Sequence, residues 1–272
     1  MISMLENAKE NKMNILVTND DGIESKGLWA LAQAMTRVGN VLIVAPDKEQ
    51  SGVGAGFTLH NGINIAEVKY TLPGICAYAV NGTPSDCVLI AMRHLSKVNI
   101  DLIVSGINRG PNIGVDIHSS GTVMATLHGY RLGIPCIAVS LYARTREEEL
   151  NFDFASQVVE NLALEIKNGG LKTDAVLNVN VPNIPRKQIK GILTTRAADT
   201  GYVKLFKVQG NKMVNYHLEM DELFTDRLEE DTDIWALHHG YVSITPLRFD
   251  TTHRVAIPLI AECVQKIEDE LL

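Results

Sequence analysis

The chain has 272 residues, 46% hydrophobic and 21% charged, proportions of a globular protein that forms either one large domain with an elaboration or two small ones. Lys and Arg number 25 against 32 acidic residues, a net charge of -7. No basic run is present, which excludes sequence-independent nucleic-acid binding as the main role.

The predicted elements begin with the apolar run Ile15-Leu-Val17, a strand buried on both faces. It ends in Asn19-Asp20-Asp21-Gly22, and Leu28, Leu31, Ala32 and Met35 then recur at helical spacing over Ser25–Val38. Val41–Pro46 is a second buried strand, and residues 47–56, rich in glycine and serine, form a loop. Residues 57–80 read as β-rich, with a hairpin turn at His60-Asn61-Gly62. Thr83 and Pro84 open a helix running to about Arg93. Asp101–Gly106 is a third buried strand, followed by a long polar loop over 107–120, a helix over 121–132 and a fourth strand at Pro135–Leu141. A helix near 151–168 precedes a fifth strand, Ala175–Val181.

Strands alternating with helices predict a doubly wound, mostly parallel α/β sheet with helices on both faces. The pattern weakens after about Ile189. Residues 199–235 read as polar and irregular, Tyr241–Leu247 as a strand and Ala256–Leu271 as a last helix, together an accessory or oligomerisation arm. The expected division is a core over 13–195 and an arm over 196–272. The four cysteines (Cys76, Cys87, Cys136, Cys263) form no C-x-x-C pair and read as buried free thiols of a reducing compartment. Met1–Lys12 lacks a signal-peptide core, and no apolar run is long enough to span a bilayer. The expectation is a cytoplasmic protein with no membrane partner.

Ligands of open parallel sheets bind at the carboxyl ends of strands, near the switch in strand order. Four polar segments follow buried strands here: Asn19-Asp20-Asp21, the loop with Ser51, Ser105-Gly-Ile-Asn108, and Pro111-Asn112 through Ser120-Gly121-Thr122. Their donors are hard oxygens, which select Mg²⁺, Mn²⁺ or Ca²⁺. Two carboxylates in contact repel unless a cation lies between them. Ser120-Gly121-Thr122, just before a helix, offers hydroxyls and backbone N–H groups to an anion. A metal beside an anion site suits phosphate-monoester hydrolysis, with either water or an aspartate as nucleophile. Taken singly, each segment also has a plain structural reading: a solvated turn for the acidic pair, an N-cap for Ser120. His118, His128 and His238-His239 read as ordinary loop, structural and turn residues.

In order along the chain, Ile15-Leu-Val-Thr-Asn-Asp-Asp-Gly-Ile23, Val44-Ala-Pro-Asp-Lys-Glu-Gln-Ser-Gly52, Asn81-Gly-Thr-Pro-Ser-Asp-Cys-Val88, Asp101–Asn112, Ser120-Gly-Thr122, Asn178-Val-Asn-Val-Pro182 and Gly240–Pro246 resemble the SurE family of survival proteins, metal-dependent 5′/3′-nucleotidases. The resemblance implies a Rossmann-like three-layer sandwich that hydrolyses nucleoside 5′- and 3′-monophosphates, and also short polyphosphate. It implies one divalent ion per subunit, Mg²⁺ or Mn²⁺ with Ca²⁺ a possible substitute in crystals, held by Asp20, Asp21, Ser51 and Asn108. Asn112, Ser120, Gly121 and Thr122 would line the phosphate site with Asn19 assisting, Asp20 and Asp21 would be catalytic, and the arm would build a homodimer or homotetramer. Ser119 stands where many relatives carry tyrosine and His128 where a glutamate is common. The alternatives from other classes are a nucleotide-binding protein without turnover and a phospho-receiver. The receiver lacks its central acceptor aspartate here, and no G-x-G-x-x-G or P-loop is present.

Overall fold

The computed structural model describes residues 12–69, 75–143, 148–201, 203–209, 214–220 and 229–271. The strands are β1 (Met13–Thr18), β2 (Gly39–Pro46), β3 (Ile65–Glu67), β4 (Ile75–Val80), β5 (Leu102–Arg109), β6 (Cys136–Tyr142), β7 (Val176–Pro182), β8 (Gly191–Thr194), β9 (Val203–Gln209), β10 (Val214–Met220) and β11 (Tyr241–Leu247). The α-helices are α1 (Lys26–Met35), α2 (Pro84–Ile90), α3 (Gly121–Met124), α4 (Leu127–Arg131), α5 (Asp153–Lys167), α6 (Asp233–His238) and α7 (Ile257–Leu271).

Nine strands form one sheet in the order β3-β4-β2-β1-β5-β6-β7-β11-β8. The six strands from β4 to β7 are mutually parallel, while β3 and β11 pair antiparallel to their inner neighbours. From β1 the chain winds outward to β2 and β4, then returns to lay β5, β6 and β7 on the other side. The switch in strand order therefore falls between β1 and β5, and the carboxyl ends of these two strands are where the ligand crevice of such a sheet is expected.

Alternation along the central strands supplies two cores. Ile15 and Val17 face a layer with Leu28 and Leu31 of α1 and Val159 and Ala163 of α5. Leu16 and Ile103 face the opposite layer, with Cys87 and Val88 of α2 and Ala125 before α4. At the end of β1 and beside it on β5 the second face turns polar: Thr18 and Ser105 are paired in register and fully buried.

Several expectations are corrected. His60-Asn61-Gly62 is not a hairpin turn: the antiparallel pair is β3–β4, joined through residues 68–74, and the stretch before β3 is irregular. The strand expected to stop at Gly106 continues to Arg109 through a register shift between Ser105 and Asn108, as a bulge permits. A 3-10 helix at Gly114–Ser119 occupies part of the expected loop. The helix expected over 121–132 divides at Ala125-Thr126, where the Thr126 hydroxyl donates to the Val123 carbonyl at 2.6 Å and competes with the helical pattern. Within the expected irregular region, β9 and β10 form a separate antiparallel ribbon. Cys87 and Cys136 are buried, but Cys76 and Cys263 are exposed: Cys76 is near the start of β4, before the stretch that β3 pairs with, and α7 has no buried residue. Among the described residues no helix is long and apolar enough to cross a membrane.

Candidate active site

The crevice is built from β1 outward. Leaving β1, the chain closes a turn over residues 19–22: the Asn19 side chain donates to the Gly22 carbonyl at 3.0 Å and accepts from the Gly22 N–H at 3.2 Å. Gly22 has φ +96°, and a Cβ there would lie 3.1 Å from the Lys48 carbonyl carbon, so the turn needs glycine. Asn19 is thus a buried brace of the turn. The turn carries Asp20 inward, where only 3% of it is exposed, and leaves Asp21 half-buried beside it.

Three other segments close on this pair. Gln50 donates its N–H to the Asp20 carbonyl at 2.7 Å, which brings Ser51 to the rim. Arg109 donates its N–H to Asp21 Oδ2 at 3.2 Å, which brings Asn108. Thr122 donates its hydroxyl to Asp20 Oδ1. Gly121 lies flat against the same carboxylate, since a Cβ on it would come within 2.8 Å of Asp20 Cβ and 2.9 Å of Oδ2.

The expected ligands present oxygen lone pairs. The Ser51 hydroxyl donates to Glu49 Oε1 at 2.7 Å and the Asn108 amide donates to the Gly110 carbonyl at 2.8 Å. In each case the N–H or O–H is engaged, so the oxygen is left as an acceptor. Both acids are disfavoured as anions in the protein alone. Burial raises the Asp20 pKa against the opposing hydrogen bond from Thr122. Burial, and then the charge of Asp20, pushes Asp21 up to about 7. Glu49 adds negative charge to both. A hard divalent cation fits this set: it would relieve the repulsion, and its preferred donors are the oxygens on offer. Among the described residues no three His, Cys, Asp or Glu side chains cluster as a metal site, so such an ion would rest on two carboxylates supplemented by a hydroxyl and an amide.

Beside the acidic pair lies the segment from Gly110 to Thr122. Ser120 accepts the Val123 N–H at 3.0 Å and caps α3, which leaves its O–H as a donor. Because α3 has only four residues, its dipole is small, and any anion would rely on individual N–H and O–H groups. Thr122 directs its hydroxyl, and its N–H as well, to Asp20. It supports the carboxylate. Asn112 is bonded through its side chain to Ser140 Oγ at 2.7 Å and through its backbone to Asn178 and Asn180.

Residues 15–204 match the family model described as Survival protein SurE. The chain belongs to the SurE family. Curated SurE relatives include the 5′-nucleotidase SurE of Moorella thermoacetica, 42% identical over 243 residues, 89% of this chain and 92% of that protein. The 5′-nucleotidase SurE of Geotalea daltonii is 41% identical over 251 residues, 91% of this chain and 98% of its own. That of Dehalococcoides mccartyi strain CBDB1 is 40% identical over 235 residues, 86% and 88%. The crystal structure of the SurE protein from Aquifex aeolicus superposes with a TM-score of 0.78 at 37% identity, covering 92% of this chain and 99% of that one. The nine-stranded Rossmann-like sheet is therefore the SurE fold.

Glu49, the backbone of Arg109, Ser140, Asn178 and Asn180 are contributors to the site that the sequence alone did not single out. Two of these carried a signal. Asn178 and Asn180 alternate with Leu177, Val179 and Val181 on a fully buried strand, and two amides on one face of such a strand require buried partners.

Proposed function

We propose that this chain is a divalent-metal-dependent phosphomonoesterase that hydrolyses nucleoside 5′- and 3′-monophosphates to nucleoside and phosphate, with short polyphosphate as a further substrate. The observation that carries the reading is the buried Asp20, bonded to Thr122 and packed against Gly121 at the switch point of the sheet. An acidic pair meets an anion-binding segment there, a combination that needs a cation to bring the two to one phosphate.

Asp20, Asp21, Ser51 and Asn108 would hold a single Mg²⁺ or Mn²⁺ ion, which when bound supplies Lewis acidity at a phosphoryl oxygen and lowers the pKa of water. The remaining work falls to the chain. Thr122 keeps Asp20 in one orientation, Arg109 N–H keeps Asp21, and Glu49 turns the Ser51 hydroxyl so that its lone pairs stay open. Ser120 O–H, the Gly121 N–H and the second N–H of the Asn112 amide would orient the phosphate, with Asn19 contributing by holding the turn that carries both acids. Fixed donors aimed at developing charge are the largest source of acceleration for this class of reaction.

The expected core (13–195) and arm (196–272) fit a role for the arm in assembly. Helix α7 exposes Ile257, Leu259, Ile260, Val264, Ile267 and Leu271 along its length, a face that a second copy in a homodimer or homotetramer would cover. The proposed location is the cytoplasm.

The test is a panel of nucleoside 5′- and 3′-monophosphates assayed for phosphate release with Mg²⁺, Mn²⁺ and Ca²⁺ in turn. Turnover that stops with a chelator and returns with metal is the expected result. Undiminished turnover in metal-free protein, or in both Asp20→Asn and Asp21→Asn, refutes the proposal. Tight nucleotide binding with no release under any of these ions favours a binding protein instead.

A further inference from the structure

Asn112 is held by a strand 66 and 68 residues away in sequence. Its N–H donates to Asn180 Oδ1 at 2.8 Å, and its carbonyl accepts from Asn180 Nδ2 at 3.0 Å and from Asn178 Nδ2 at 2.8 Å. The Asn180 side chain thus forms both bonds of a backbone pair, as a neighbouring strand would. The Asn112 side chain then donates to Ser140 Oγ at 2.7 Å, so backbone and side chain are fixed together. Asn178, Asn180 and Ser140 are fully buried, and hydrogen bonds shielded from water resist exchange with solvent.

This bracing is specific to the segment that follows β5. In register, Asn108 of β5 lies beside Ser140 of β6, and Ser140 beside Asn180 of β7. The same row of strand ends therefore carries an expected metal ligand at one end and the clamp on Asn112 at the other. Asp20 and Asp21 are held by other groups, Asp20 by the hydroxyl and N–H of Thr122 and Asp21 by the Arg109 N–H.

We propose that Asn180, backed by Asn178, is a positioning residue for the phosphate: it fixes Asn112 before substrate arrives, so that the second N–H of the Asn112 amide meets the phosphate without a cost of ordering. The inference rests on the reading of Asn112 as a phosphate-site residue. Preorganised donors bind an anion more tightly than mobile ones because the ordering entropy has already been met by folding.

The experiment uses the full chain loaded with Mn²⁺ and inorganic phosphate as the probe, with binding of each measured by titration calorimetry. Asn180→Ala leaves the Asn112 N–H and carbonyl short of partners and is expected to weaken phosphate binding about tenfold. KM for a nucleoside monophosphate rises in step, while kcat and the Mn²⁺ dissociation constant stay within about twofold of the parent. Asn178→Ala removes one bond only and gives a smaller change in the same direction; it carries the test should Asn180→Ala fail to fold. Unchanged phosphate binding in a folded Asn180→Ala, where Asn112→Ala does weaken it, overturns the positioning role and leaves the Asn112 reading intact. Phosphate binding unaffected by Asn112→Ala removes the Asn112 reading and this inference with it. Loss of Mn²⁺ affinity in step with phosphate affinity also overturns the inference, because it shows general damage to the site.

Discussion

Thr122 donates its hydroxyl to Asp20 Oδ1 across 102 residues of chain. That bond joins the end of the first strand to the start of the α3 turn, alongside the Thr122 N–H and the packing of Gly121 on the same side chain. It fixes which Asp20 oxygen faces the protein interior, and it opposes the effect of burial on the carboxyl pKa. A carboxylate held by a charge-assisted bond of this kind is both oriented and easier to ionise.

Thr122→Val keeps the side-chain shape and removes the donor. Supporting bonds to a ligating carboxylate are worth about 10–100-fold in metal affinity. The Mn²⁺ dissociation constant should therefore rise by about tenfold or more in calorimetric titration. Thr122→Ser keeps the hydroxyl and should stay near the parent. Equal affinity in Thr122→Val and the parent would refute the role.

Asp21, pushed up to about 7 by burial and by the Asp20 charge, makes metal binding pH-dependent. Below pH 7 a proton competes with the ion for Asp21, so affinity for Mn²⁺ should fall as pH drops from 8 to 6, and proton release should accompany binding. The stability of the metal-free protein moves the other way. A folded carboxyl pKa above the unfolded one means that the folded state binds more protons between about pH 4 and 7. Metal-free stability is thus greatest below pH 4 as far as this group is concerned, and its contribution is lost as pH rises through 7. Added Mn²⁺ should restore it. Thermal melts at pH 5 and pH 8, with and without metal, check both signs, and Asp21→Asn should flatten the difference.

Gly121 and Gly52 make a contrast in what a methyl group meets. A Cβ at Gly121 lands within 3 Å of the Asp20 side chain, whereas Gly52, at φ +75°, has nothing within 4 Å. Gly121→Ala should displace Asp20 and lower kcat/KM by two orders of magnitude or more, since about 1 Å of misplacement costs on the order of 100-fold. Gly52→Ala should cost about 1 kcal/mol of stability from its left-handed backbone and change turnover little. Comparing the two variants by melting point and by steady-state kinetics separates site geometry from backbone strain.

The parts of this arrangement that were legible in the sequence are local. Ile15-Leu-Val17 ending in Asn-Asp-Asp-Gly contains its own strand, its own turn residues and its own acidic pair, so both the element and its chemistry can be read in the eight positions from Ile15 to Gly22. The existence of β1, β2, β5, β6 and β7 as buried parallel strands follows from apolar runs alternating with helical spacing. What was not legible depends on partners distant in the chain. Asn178 and Asn180 signal that buried partners exist, but not that the partner is Asn112. The break of the expected 121–132 helix depends on the Thr126 hydroxyl choosing the Val123 carbonyl, a choice that helical spacing does not reveal. The exposed Cys76 and Cys263 were misread because apolar neighbours in sequence do not determine whether the start of a strand, or one side of a helix with no buried residue, is covered.

Asp233 is the least legible of all, an acidic residue in an acidic stretch. It is fully buried at the start of α6, where its carboxylate accepts the N–H groups of Gly114 at 2.9 Å, Ala198 at 3.0 Å and Ile234 at 2.8 Å. Burial raises its pKa while these three bonds oppose the rise. They tie the 3-10 turn after Asn112 to the segment after β8, and Val115 N–H adds a bond to the Thr200 carbonyl at 3.2 Å. Gly114 sits at φ +54° with its α-carbon packed on Thr200, where a Cβ has no room. Asp233→Ala strands three buried donors, each worth about 1–3 kcal/mol when left without a partner. The variant should lose several degrees of melting temperature and, because the Gly110–Thr122 segment loosens, should also show faster amide exchange at Gly114 and weaker binding of inorganic phosphate. Asp233→Asn keeps the shape but replaces one acceptor oxygen with an NH₂ group facing an N–H, so it should fall between parent and Ala. A melting temperature unchanged in both variants would show that the three N–H groups find other partners, and the anchoring role would fail.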